Sequence, residues 1–464
     1  MIAGLKQISS FIWEIPKTYR KSMKVPVKII ASQALLRNFD EAVYEQAINV
    51  ASLPGLVGFV YILPDAHSGY GAPIGCVFAT DPNSGGIISP GAVGYDVNCG
   101  MRLITTNLFE KEVRPFLERL VDRLFTQIPA GVGGKGFLKI SDKQLEEIMV
   151  LGASWMINKG YGRVEDLQNT EEEGRIKGAE PSSVSEKARQ RGKHQLATLG
   201  SGNHYLEIQK VAEIFDKDIA LKLGIGEVGQ IMVMFHCGSR GFGHQICSDY
   251  LRIFGNHMQD YKITVTDRQL ACTPFNSAHG QRYFGAMNAA ANFAYANRQA
   301  ITYQVRKVFQ EVMGKSEQEL RLNLVYDVTH NMAKIEKHQI DLVVHRKGAT
   351  RSYPGQPVII GGSMESGSFL LLGTESALST TFGSTAHGSG RTMSRHAAAR
   401  QVSGKNLSDS LKLRGIYVRS ASWGGLAEEA GIAYKNIDEV VEAVERAGIS
   451  QKVARLTPLG NIKG

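Results

Sequence analysis

IMVMFHCGSRG, residues 231–241, joins an apolar run of strand-forming residues directly to histidine, small residues and arginine. An uninterrupted apolar run of this length, rich in β-forming types, predicts a buried strand over 231–235. The same pattern recurs at residues 324–328, where the apolar run leads into Thr329, His330 and Asn331. Loops at strand ends are where mixed α/β proteins build their sites. Both stretches therefore predict a strand whose end carries functional side chains.

Helical and strand patterns alternate along the rest of the chain, which indicates a mixed architecture. Apolar recurrence at three and four residues predicts helices over 38–51, 110–127 and 142–158, and one long helix or two over 277–313. Short apolar runs predict further strands at 57–63, 342–345, 358–360 and 369–372. The polar stretch 168–193 predicts a solvated connector or an exposed helix. Because no repeat and no sharp linker divides the chain, we expect one integrated body over residues 1–464.

Length and composition exclude several classes of protein. The 464 residues include 43% hydrophobic and 21% charged residues, which is ordinary for a globular protein and excludes a mainly disordered chain. No apolar run approaches the roughly 18 residues of a membrane span, so we expect no membrane partner. The formal charge of +9 favours a polyanionic partner only slightly. An odd count of 5 cysteines, without a C-x-x-C or a signal-peptide pattern, predicts a cytoplasmic protein.

Five residues in loops beside the predicted strands offer ligands for metal ions: Asp96, Cys99, His204, His236 and His330. One carboxylate, one thiolate and three imidazoles suffice for one or two transition metals, and the thiolate can bridge a pair. Imidazole and thiolate suit zinc or iron, whereas carboxylate suits manganese, so the residue types leave the metal open. Each motif alone is more typical of a tight turn with a buried cysteine or of a structural histidine. Their combination favours a metal site.

A stretch dominated by small residues, STTFGSTAHGSGR at 379–391, comes directly before a helical pattern at 392–401. Glycines let backbone N–H groups converge on phosphate oxygens, and the start of a helix adds its positive dipole end. Arg391 can neutralise phosphate charge, and His387 is placed either as a nucleophile on phosphorus or as a donor that contacts a phosphate. The alternative is a flexible hydroxyl-rich loop.

Two further stretches have compositions typical of phosphate binding. Residues 361–364 form a second small-residue turn, which suits a phosphate or a base edge. Residues 345–351 form a compact basic stretch, which suits a polyphosphate or is simply a solvated surface loop.

Several familiar nucleotide and hydrolase motifs do not occur. The segment 224–229 fits G-x-G-x-x-G, but a strand pattern follows it instead of a helix, so the dinucleotide interpretation fails. The chain has no Walker-type loop, no H-E-x-x-H, no G-x-S-x-G and no Lys-x-Asp-Gly. Nucleotide chemistry in this chain therefore needs a nucleophile other than lysine.

Several motifs, in the same order along the chain, resemble the RtcB family of RNA ligases. They cover the chain from about residue 25 to residue 464 and comprise LPDAHSGYG (63–71), GYDVNCG (94–100), GNH (202–204), HCGSRG (236–241), HN (330–331) and HGSGR (387–391). Independent motifs in a shared order are more specific than any one of them.

The resemblance implies a single α+β domain with mixed sheets around a central metal cleft. It also implies a pair of Mn²⁺ ions. Asp96 and His204 would bind one ion, His236 and His330 the other, and Cys99 would bridge the two.

The same resemblance implies GTP as cofactor, with His387 accepting GMP on a ring nitrogen. Glu207 would accept hydrogen bonds from the guanine edge and so favour G over A. The implied nucleotide contacts share small or polar side chains: Asn203, Glu207, Asn331, Gly361, Gly362, Ser363, Met364, Ser368, Gly388, Ser389, Gly390, Tyr434 and Lys463.

The family reaction joins RNA ends bearing a 2′,3′-cyclic phosphate or 3′-phosphate to 5′-hydroxyl ends, in tRNA splicing or RNA repair. It proceeds through a GMP-histidine intermediate and an RNA-3′-pp-5′-G end. RNA and GTP are thus implied partners, together with an archease-type activator. The basic residues expected to hold the RNA backbone are Arg240, Arg346, Lys347, Arg351 and Arg391.

The residues alone leave two alternatives open. One is a metal-dependent phosphodiesterase or phosphatase that acts on RNA ends without a histidine nucleophile. The other is a non-catalytic RNA-binding protein whose metals are structural. The chain also departs from the family pattern at Cys237, where serine is common, and at Ser389, where alanine is frequent. We expect Cys237 either to sensitise the site to oxidation or to pack as a small apolar residue.

Overall fold

The computed structural model describes residues 2–464 as two large β-sheets with helices packed against them. The strands are β1 (Lys6–Ser9), β2 (Ile12–Ile15), β3 (Val27–Ile30), β4 (Leu56–His67), β5 (Ile74–Thr80), β6 (Ile87–Ile88), β7 (Gly100–Phe109), β8 (Tyr205–Ile214), β9 (Gln230–Cys237), β10 (Thr273–Pro274), β11 (Leu324–Thr329), β12 (Asn331–Lys337), β13 (Asp341–Lys347), β14 (Ala349–Arg351), β15 (Pro357–Gly361), β16 (Ser368–Gly373), β17 (Ser384–Ala386), β18 (Tyr417–Ser420) and β19 (Ser450–Lys463).

The helices are α1 (Gln33–Arg37), α2 (Glu41–Val50), α3 (Glu110–Val113), α4 (Leu117–Gln127), α5 (Asp142–Leu151), α6 (Ala153–Asn158), α7 (Val164–Gln168), α8 (Glu186–Gly192), α9 (Lys217–Lys222), α10 (Arg240–His257), α11 (Ala278–Met313), α12 (Glu317–Leu320), α13 (Glu375–Thr381), α14 (Arg395–Gln401), α15 (Gly404–Leu413), α16 (Trp423–Glu428) and α17 (Ile437–Arg446). Short 3₁₀ turns connect several of these elements.

The two sheets are mixed and mainly antiparallel, as an α+β protein requires. The first has the strand order β1-β2-β3-β4-β5-β13-β12, and the second has the order β11-β7-β9-β8-β19-β16-β15, with β18 pairing on β19. Two pairs are parallel, β3 with β4 and β18 with β19. Strand β11 of the second sheet ends at Thr329, and β12 of the first begins at Asn331. His330 therefore lies at the junction of the sheets.

Four neighbouring strands of the second sheet bring their loops to one edge. In the antiparallel register Gly100 pairs with Cys237 and with Thr329, so β7 begins where β9 and β11 end. Tyr205 pairs with His236, so β8 begins at the same edge. The loops that precede or follow these strands are thus forced together by the hydrogen-bond register.

The predicted strands and the mixed fold class are confirmed, and the long helical pattern forms a single helix, α11. The Ser277 hydroxyl accepts a hydrogen bond from the Gly280 N–H at 3.1 Å, which caps the start of this helix. The predicted helix 142–158 is instead divided into α5 and α6 at Gly152, where φ is +57°. A side chain at Gly152 would meet the Gly174 carbonyl oxygen, so only glycine fits this break.

The expected solvated connector at 168–193 is wrong for part of its length. Glu171 is buried and pairs with the Lys334 ammonium at 2.5 Å. Its second carboxylate oxygen accepts the Thr329 N–H at 2.9 Å. The charge pattern looked solvent-exposed because the partner cation lies more than 150 residues away. The segment instead packs against the strand that leads to His330.

Within residues 2–464 no helix is both long and apolar enough to cross a bilayer.

A fully buried ion cluster connects α11 to the second sheet. Asp327 accepts hydrogen bonds from Arg102 at 2.7 Å and from Arg298 at 2.8 Å, and all three side chains are inaccessible to solvent. We expect Asp327→Asn to lower the free energy of unfolding by about 3–5 kcal/mol, because it leaves buried guanidinium charge without its partner. Denaturant unfolding measures this change.

Glu442→Gln is the matched control, since Glu442 pairs with Arg446 on the exposed face of α17. That variant should unfold at the same denaturant concentration as the parent. Equal stability of the Asp327→Asn and Glu442→Gln variants would contradict the importance of the buried cluster.

Candidate metal centre and adjoining cleft

A cleft of about 740 Å³ opens at the edge where the strand ends of the second sheet meet. Its floor and walls include all the predicted metal ligands, Asp96, Cys99, His204, His236 and His330, together with His387. The register of the second sheet brings Cys99, His204, His236 and His330 into one place. His387 reaches the same cleft from β17, which pairs with β14 in a separate two-stranded sheet.

Asp96, Cys99 and His204 form the first set of ligand atoms. The His204 Nε2 lies 2.8 Å from Asp96 Oδ2 and 3.3 Å from Cys99 Sγ. Cys99, His236 and His330 form the second set. The His236 Nε2 lies 3.0 Å from Cys99 Sγ and 3.1 Å from the His330 Nε2. Cys99 thus belongs to both sets, and its sulfur lies between them.

The ring orientation of His236 shows that its inward nitrogen carries a lone pair. The outward Nδ1 lies 3.1 Å from the Asn203 carbonyl oxygen, which can only accept a hydrogen bond, so Nδ1 bears the proton. Nε2 of the neutral ring is then unprotonated and faces the Cys99 sulfur and His330. Lone pairs that converge in this way are what a metal ion requires of its ligands. The residues present therefore fit a bound cation.

Burial determines the protonation of these ligands. It lowers the pKa values of His236 and His330 well below their usual range, which keeps both rings neutral. Burial also raises the pKa of Asp96, but hydrogen bonding and charge from His204 outweigh it and hold that pKa well below its usual range. Burial and the Asp96 charge raise the pKa of the Cys99 thiol. A bound cation would reverse the last effect, because metal-bound thiols are deprotonated.

His387 follows β17 and lies beside the metal ligands, with its ring centroid 4.7 Å from that of His330. Its Nδ1 lies 2.6 Å from Asp65 Oδ2, and the backbone N–H groups of His387 and Gly388 donate to the same oxygen at 3.0 and 3.3 Å. Burial disfavours the ionised Asp65, but His387 outweighs it and holds the pKa of that carboxyl below its ordinary value. When Nδ1 donates to the ionised Asp65, the neutral ring carries its lone pair on Nε2.

Lys435 lies directly behind this pair. Its ammonium donates to the carbonyl oxygen of Pro64 at 3.2 Å and to that of Ala66, which flank Asp65 in the chain. Burial lowers the pKa of Lys435 to about 7, against the opposing charge of Asp65. Neither Asp65 nor Lys435 was assigned a role from the sequence, although Asp65 lies inside a motif that carried the family resemblance.

Most of the predicted nucleotide contacts line the cleft: Asn203, Asn331, Gly361, Gly362, Gly388, Ser389, Gly390, Tyr434 and Lys463. The others lie beneath its surface: Glu207, Ser363, Met364 and Ser368. Met364 packs in an apolar cluster with Leu411 and Leu426. The structure thus brings the glycine-containing loops at 361–362 and 388–390 together in the cleft. Met364 lies in the apolar core instead.

Glu207 is a buried carboxylate on β8 near the wall of the cleft. It accepts hydrogen bonds from Gln209 at 2.6 Å and from Asn461. Burial raises its pKa to about 7, and the nearby Lys463 ammonium only partly offsets that effect. Near neutral pH this carboxyl therefore exists in both protonation states.

The predicted basic residues divide into two groups. Arg240 and Arg391 line the cleft, where Arg240 lies 3.3 Å from the His204 Nδ1 and Arg391 donates to Tyr434 at 3.2 Å. Arg346 and Arg351 do not line it. Arg346 is buried and pairs with Glu336 at 2.8 Å, and Arg351 pairs with Glu172 at 2.6 Å. Carboxylates occupy both of these guanidinium groups, and Glu429 likewise lies 3.3 Å from Arg391. The RNA contacts of Arg346 and Arg351 stay predictions, and the structure gives both residues ion pairs away from the cleft.

Lys347 lines the cleft but directs its ammonium into protein. The side chain is buried, and Nζ donates to the carbonyl oxygens of Tyr70 and Gly91. Burial lowers its pKa to about 8. The expected phosphate contact is therefore corrected to a link between two loops of the cleft wall.

Neither departure from the family pattern, Cys237 or Ser389, places a new functional group among the candidate metal ligands. Cys237 is fully buried and its sulfur lies 3.5 Å from Asn297 Nδ2, on the side of β9 opposite His236. Burial raises the pKa of this thiol to about 12, so it packs as a small apolar residue. The Ser389 N–H donates to the Gly361 carbonyl at 2.9 Å, a backbone contact that alanine would also make.

Comparison with known proteins finds similarity along the whole chain. A family model described as "tRNA-splicing ligase RtcB" matches residues 46–464. A protein named tRNA-splicing ligase RtcB from Archaeoglobus fulgidus is 50% identical, over 99% of this chain and 99% of its own. Proteins of the same name from Thermococcus kodakarensis and Methanococcus maripaludis are 49% and 44% identical, with at least 99% of each chain covered.

Because its sulfur is common to both ligand sets, Cys99 should control the binding of both metal ions. We expect Cys99→Ala, after incubation with Mn²⁺ and removal of free metal, to lose most of the metal that the parent retains. Elemental analysis by mass spectrometry measures the content per chain.

Cys272→Ala is the matched control, since Cys272 is a buried thiol in an apolar cluster away from the cleft. It should retain the metal content of the parent. Unchanged metal in the Cys99→Ala variant would refute the shared ligand.

Proposed function

Since this chain belongs to the RtcB family of tRNA-splicing ligases, we propose that it is a GTP- and Mn²⁺-dependent RNA ligase. It joins RNA ends that bear a 2′,3′-cyclic phosphate or a 3′-phosphate to 5′-hydroxyl ends. Its substrates are RNA exons in tRNA splicing or broken RNA ends in repair. An archease-type activator and a cytoplasmic location stay predictions.

One observation carries the proposal: a histidine that is oriented by a buried carboxylate lies against two metal-ligand sets that share a thiol. Asp65 fixes Nδ1 of His387 at 2.6 Å, and the ring contacts that of His330 in the second ligand set. A structural metal site would require no oriented, unligated imidazole beside it. A phosphodiesterase would require the metals but no such nucleophile.

The two ligand sets would hold the Mn²⁺ ions, one with Asp96, Cys99 and His204 and the other with Cys99, His236 and His330. When bound, a pair of divalent cations neutralises phosphate charge and stabilises the oxygens of an in-line displacement.

His387 would act as the nucleophile toward GTP. Its Nε2 lone pair attacks the α-phosphorus, a nitrogen–phosphorus bond forms, and the bond to pyrophosphate breaks. Asp65 retains the proton on Nδ1 and stabilises the positive charge that the ring gains. The RNA 3′-phosphate then displaces the histidine and takes the GMP, and the 5′-hydroxyl finally displaces GMP.

The remaining residues of the cleft would bind and orient. The N–H groups of the 388–390 loop and the glycines at 361 and 362 present backbone to phosphate oxygens. Arg240 and Arg391 provide positive charge at the cleft wall for the RNA backbone. Glu207 would accept from the N–H edge of guanine, which requires a movement of Asn461 or Gln209 because both now donate to this carboxylate.

The direct test is incubation of the protein with Mn²⁺ and α-³²P-labelled GTP. We expect an acid-labile, alkali-stable label on the wild-type protein, because a phosphoramidate hydrolyses in acid. His387→Ala should abolish the label, whereas His257→Ala should retain it, since His257 is a half-exposed residue of α10 outside the cleft. A wild-type protein with bound Mn²⁺ that stays unlabelled would contradict the ligase proposal.

Glu207 should set the preference for guanine. At pH 8, above its pKa of about 7, the carboxylate is ionised and can accept from guanine. We expect Glu207→Gln to reduce the preference for GTP over ATP in histidine labelling by about tenfold or more, through loss of a charge-assisted hydrogen bond.

The protonation of Glu207 also predicts how GTP binding should depend on pH. Below pH 7 Glu207 is protonated, so the GTP concentration for half-maximal labelling should fall as the pH rises from 6 to 8. In the Glu207→Gln variant this fall in the GTP concentration should be absent, because glutamine does not ionise. An unchanged nucleotide preference in Glu207→Gln would exclude Glu207 from guanine recognition.

A further inference from the structure

An aromatic cluster lies on the wall of the cleft, and neither the metal site nor the proposed nucleotide contacts use it. The Tyr70 and Tyr95 rings meet edge to face with centroids 5.3 Å apart, and the Tyr95 and His244 centroids are 5.9 Å apart. All three residues line the cleft. Tyr95 directly precedes the metal ligand Asp96, and His244 lies on α10 one turn after Arg240.

The rings of this cluster are accessible although the loops that carry them are rigidly held. Tyr70 is 37% exposed, His244 is exposed and Tyr95 is half-buried. Exposed aromatic rings side by side lose the free energy that burial would provide. Their exposure inside a cleft, beside charged residues, is typical of a surface that a planar ligand covers.

Buried contacts fix the Tyr70 loop to the loop that leads to Tyr95. The Lys347 ammonium donates to the Tyr70 carbonyl and, at 2.9 Å, to the Gly91 carbonyl. The Gly71 N–H donates to Gln269 Oε1 at 2.8 Å. A side chain at Gly71 would meet the Gln269 and Gly91 carbonyl oxygens, so only glycine fits at this point of the loop. The rings are therefore preorganised, and binding a ligand would cost little ordering of the chain.

We propose that Tyr70, Tyr95 and His244 form a stacking platform for a nucleobase at the broken end of the RNA substrate. The proposal rests on the proposed function and identifies where the RNA, as distinct from GTP, is held. Every base has a π face, so stacking on aromatic side chains accepts any sequence. Arg240, which lines the cleft one helical turn before His244 on α10, supplies the charge for the adjoining phosphate.

Either RNA end presents the same chemistry, a terminal base next to the reacting group. We therefore distinguish the ends with two oligonucleotides that carry the fluorescent base 2-aminopurine. One has it at the last nucleotide before a 3′-phosphate, and the other has it at the first nucleotide after a 5′-hydroxyl. Stacking quenches 2-aminopurine, so titration with the Mn²⁺-loaded protein reports both the contact and the Kd.

Tyr70→Leu is the principal variant, because leucine retains an apolar side chain but removes the π face. We expect wild-type protein to quench one of the two oligonucleotides. Tyr70→Leu should lose most of that quenching and raise the Kd about tenfold, and Tyr70→Phe should restore both. Trp423→Leu is the matched control, since Trp423 is an exposed aromatic residue outside the cleft lining, and it should behave as wild type.

Two further outcomes separate this proposal from the proposed function. Normal labelling of Tyr70→Leu by GTP shows that the variant is folded and that His387 is competent. If wild-type protein takes the label but Tyr70→Leu binds and quenches the oligonucleotides as wild type does, or if wild-type protein quenches neither, the platform is refuted while the ligase proposal stands. If wild-type protein takes no label yet quenches in a Tyr70-dependent way, the platform stands and the ligase proposal fails.

Discussion

The thiol of Cys99 is the point on which the arrangement of the site depends. Its sulfur lies within 3.3 Å of the inward nitrogens of both His204 and His236, and each imidazole belongs to a different ligand set. Such proximity is possible only if β7, β8 and β9 end or begin at one edge of the sheet, and if β11 delivers His330 to that edge. The fold of the second sheet thus places one sulfur atom, Cys99 Sγ, within reach of both candidate metal-ligand sets.

The buried ion cluster of Arg102, Arg298 and Asp327 both stabilises the fold and holds the backbone near Cys99 in place. Arg298, which Asp327 neutralises, also donates to the Asn98 carbonyl at 2.7 Å and to the Cys237 carbonyl at 3.1 Å. These carbonyls directly adjoin Cys99 and His236. The backbone beside Cys99 and His236, two of the candidate ligands, is therefore fixed by a charge network that includes Arg298 of the long helix α11. Buried charge of this kind costs desolvation energy, which the paired geometry offsets.

The residues of the site were predictable from the sequence because their types are chemically distinctive. Histidine, cysteine and aspartate beside apolar runs indicated the five candidate metal ligands, and the small-residue loop indicated His387; the structure brings all six residues to one cleft. Burial and pairing were not predictable. Arg346 and Glu336 are ten residues apart and form a buried pair, and Glu171 lies 163 residues from Lys334. A basic or acidic run looks solvated until the fold supplies its counter-ion.

Contacts between distant segments also explain why the structural roles of Asp65, Lys435 and Lys347 could not be predicted from the sequence. Asp65 has no neighbour in sequence that marks it as a partner of His387, which is 322 residues away. Lys435 lies in ordinary surroundings along the chain, and Lys347 lies in a basic stretch that predicted a phosphate contact. Both lysines instead donate to carbonyl oxygens that hold loops of the cleft. Their roles follow from three-dimensional contacts between distant segments.

The most direct test of the account is anomalous diffraction at the manganese edge from crystals of the Mn²⁺-loaded protein. We expect two anomalous peaks, one on either side of Cys99 Sγ. One should contact Asp96 and His204, and the other should contact His236 and His330. A single peak, or a second peak that does not contact Cys99, would contradict the shared thiolate on which the account depends.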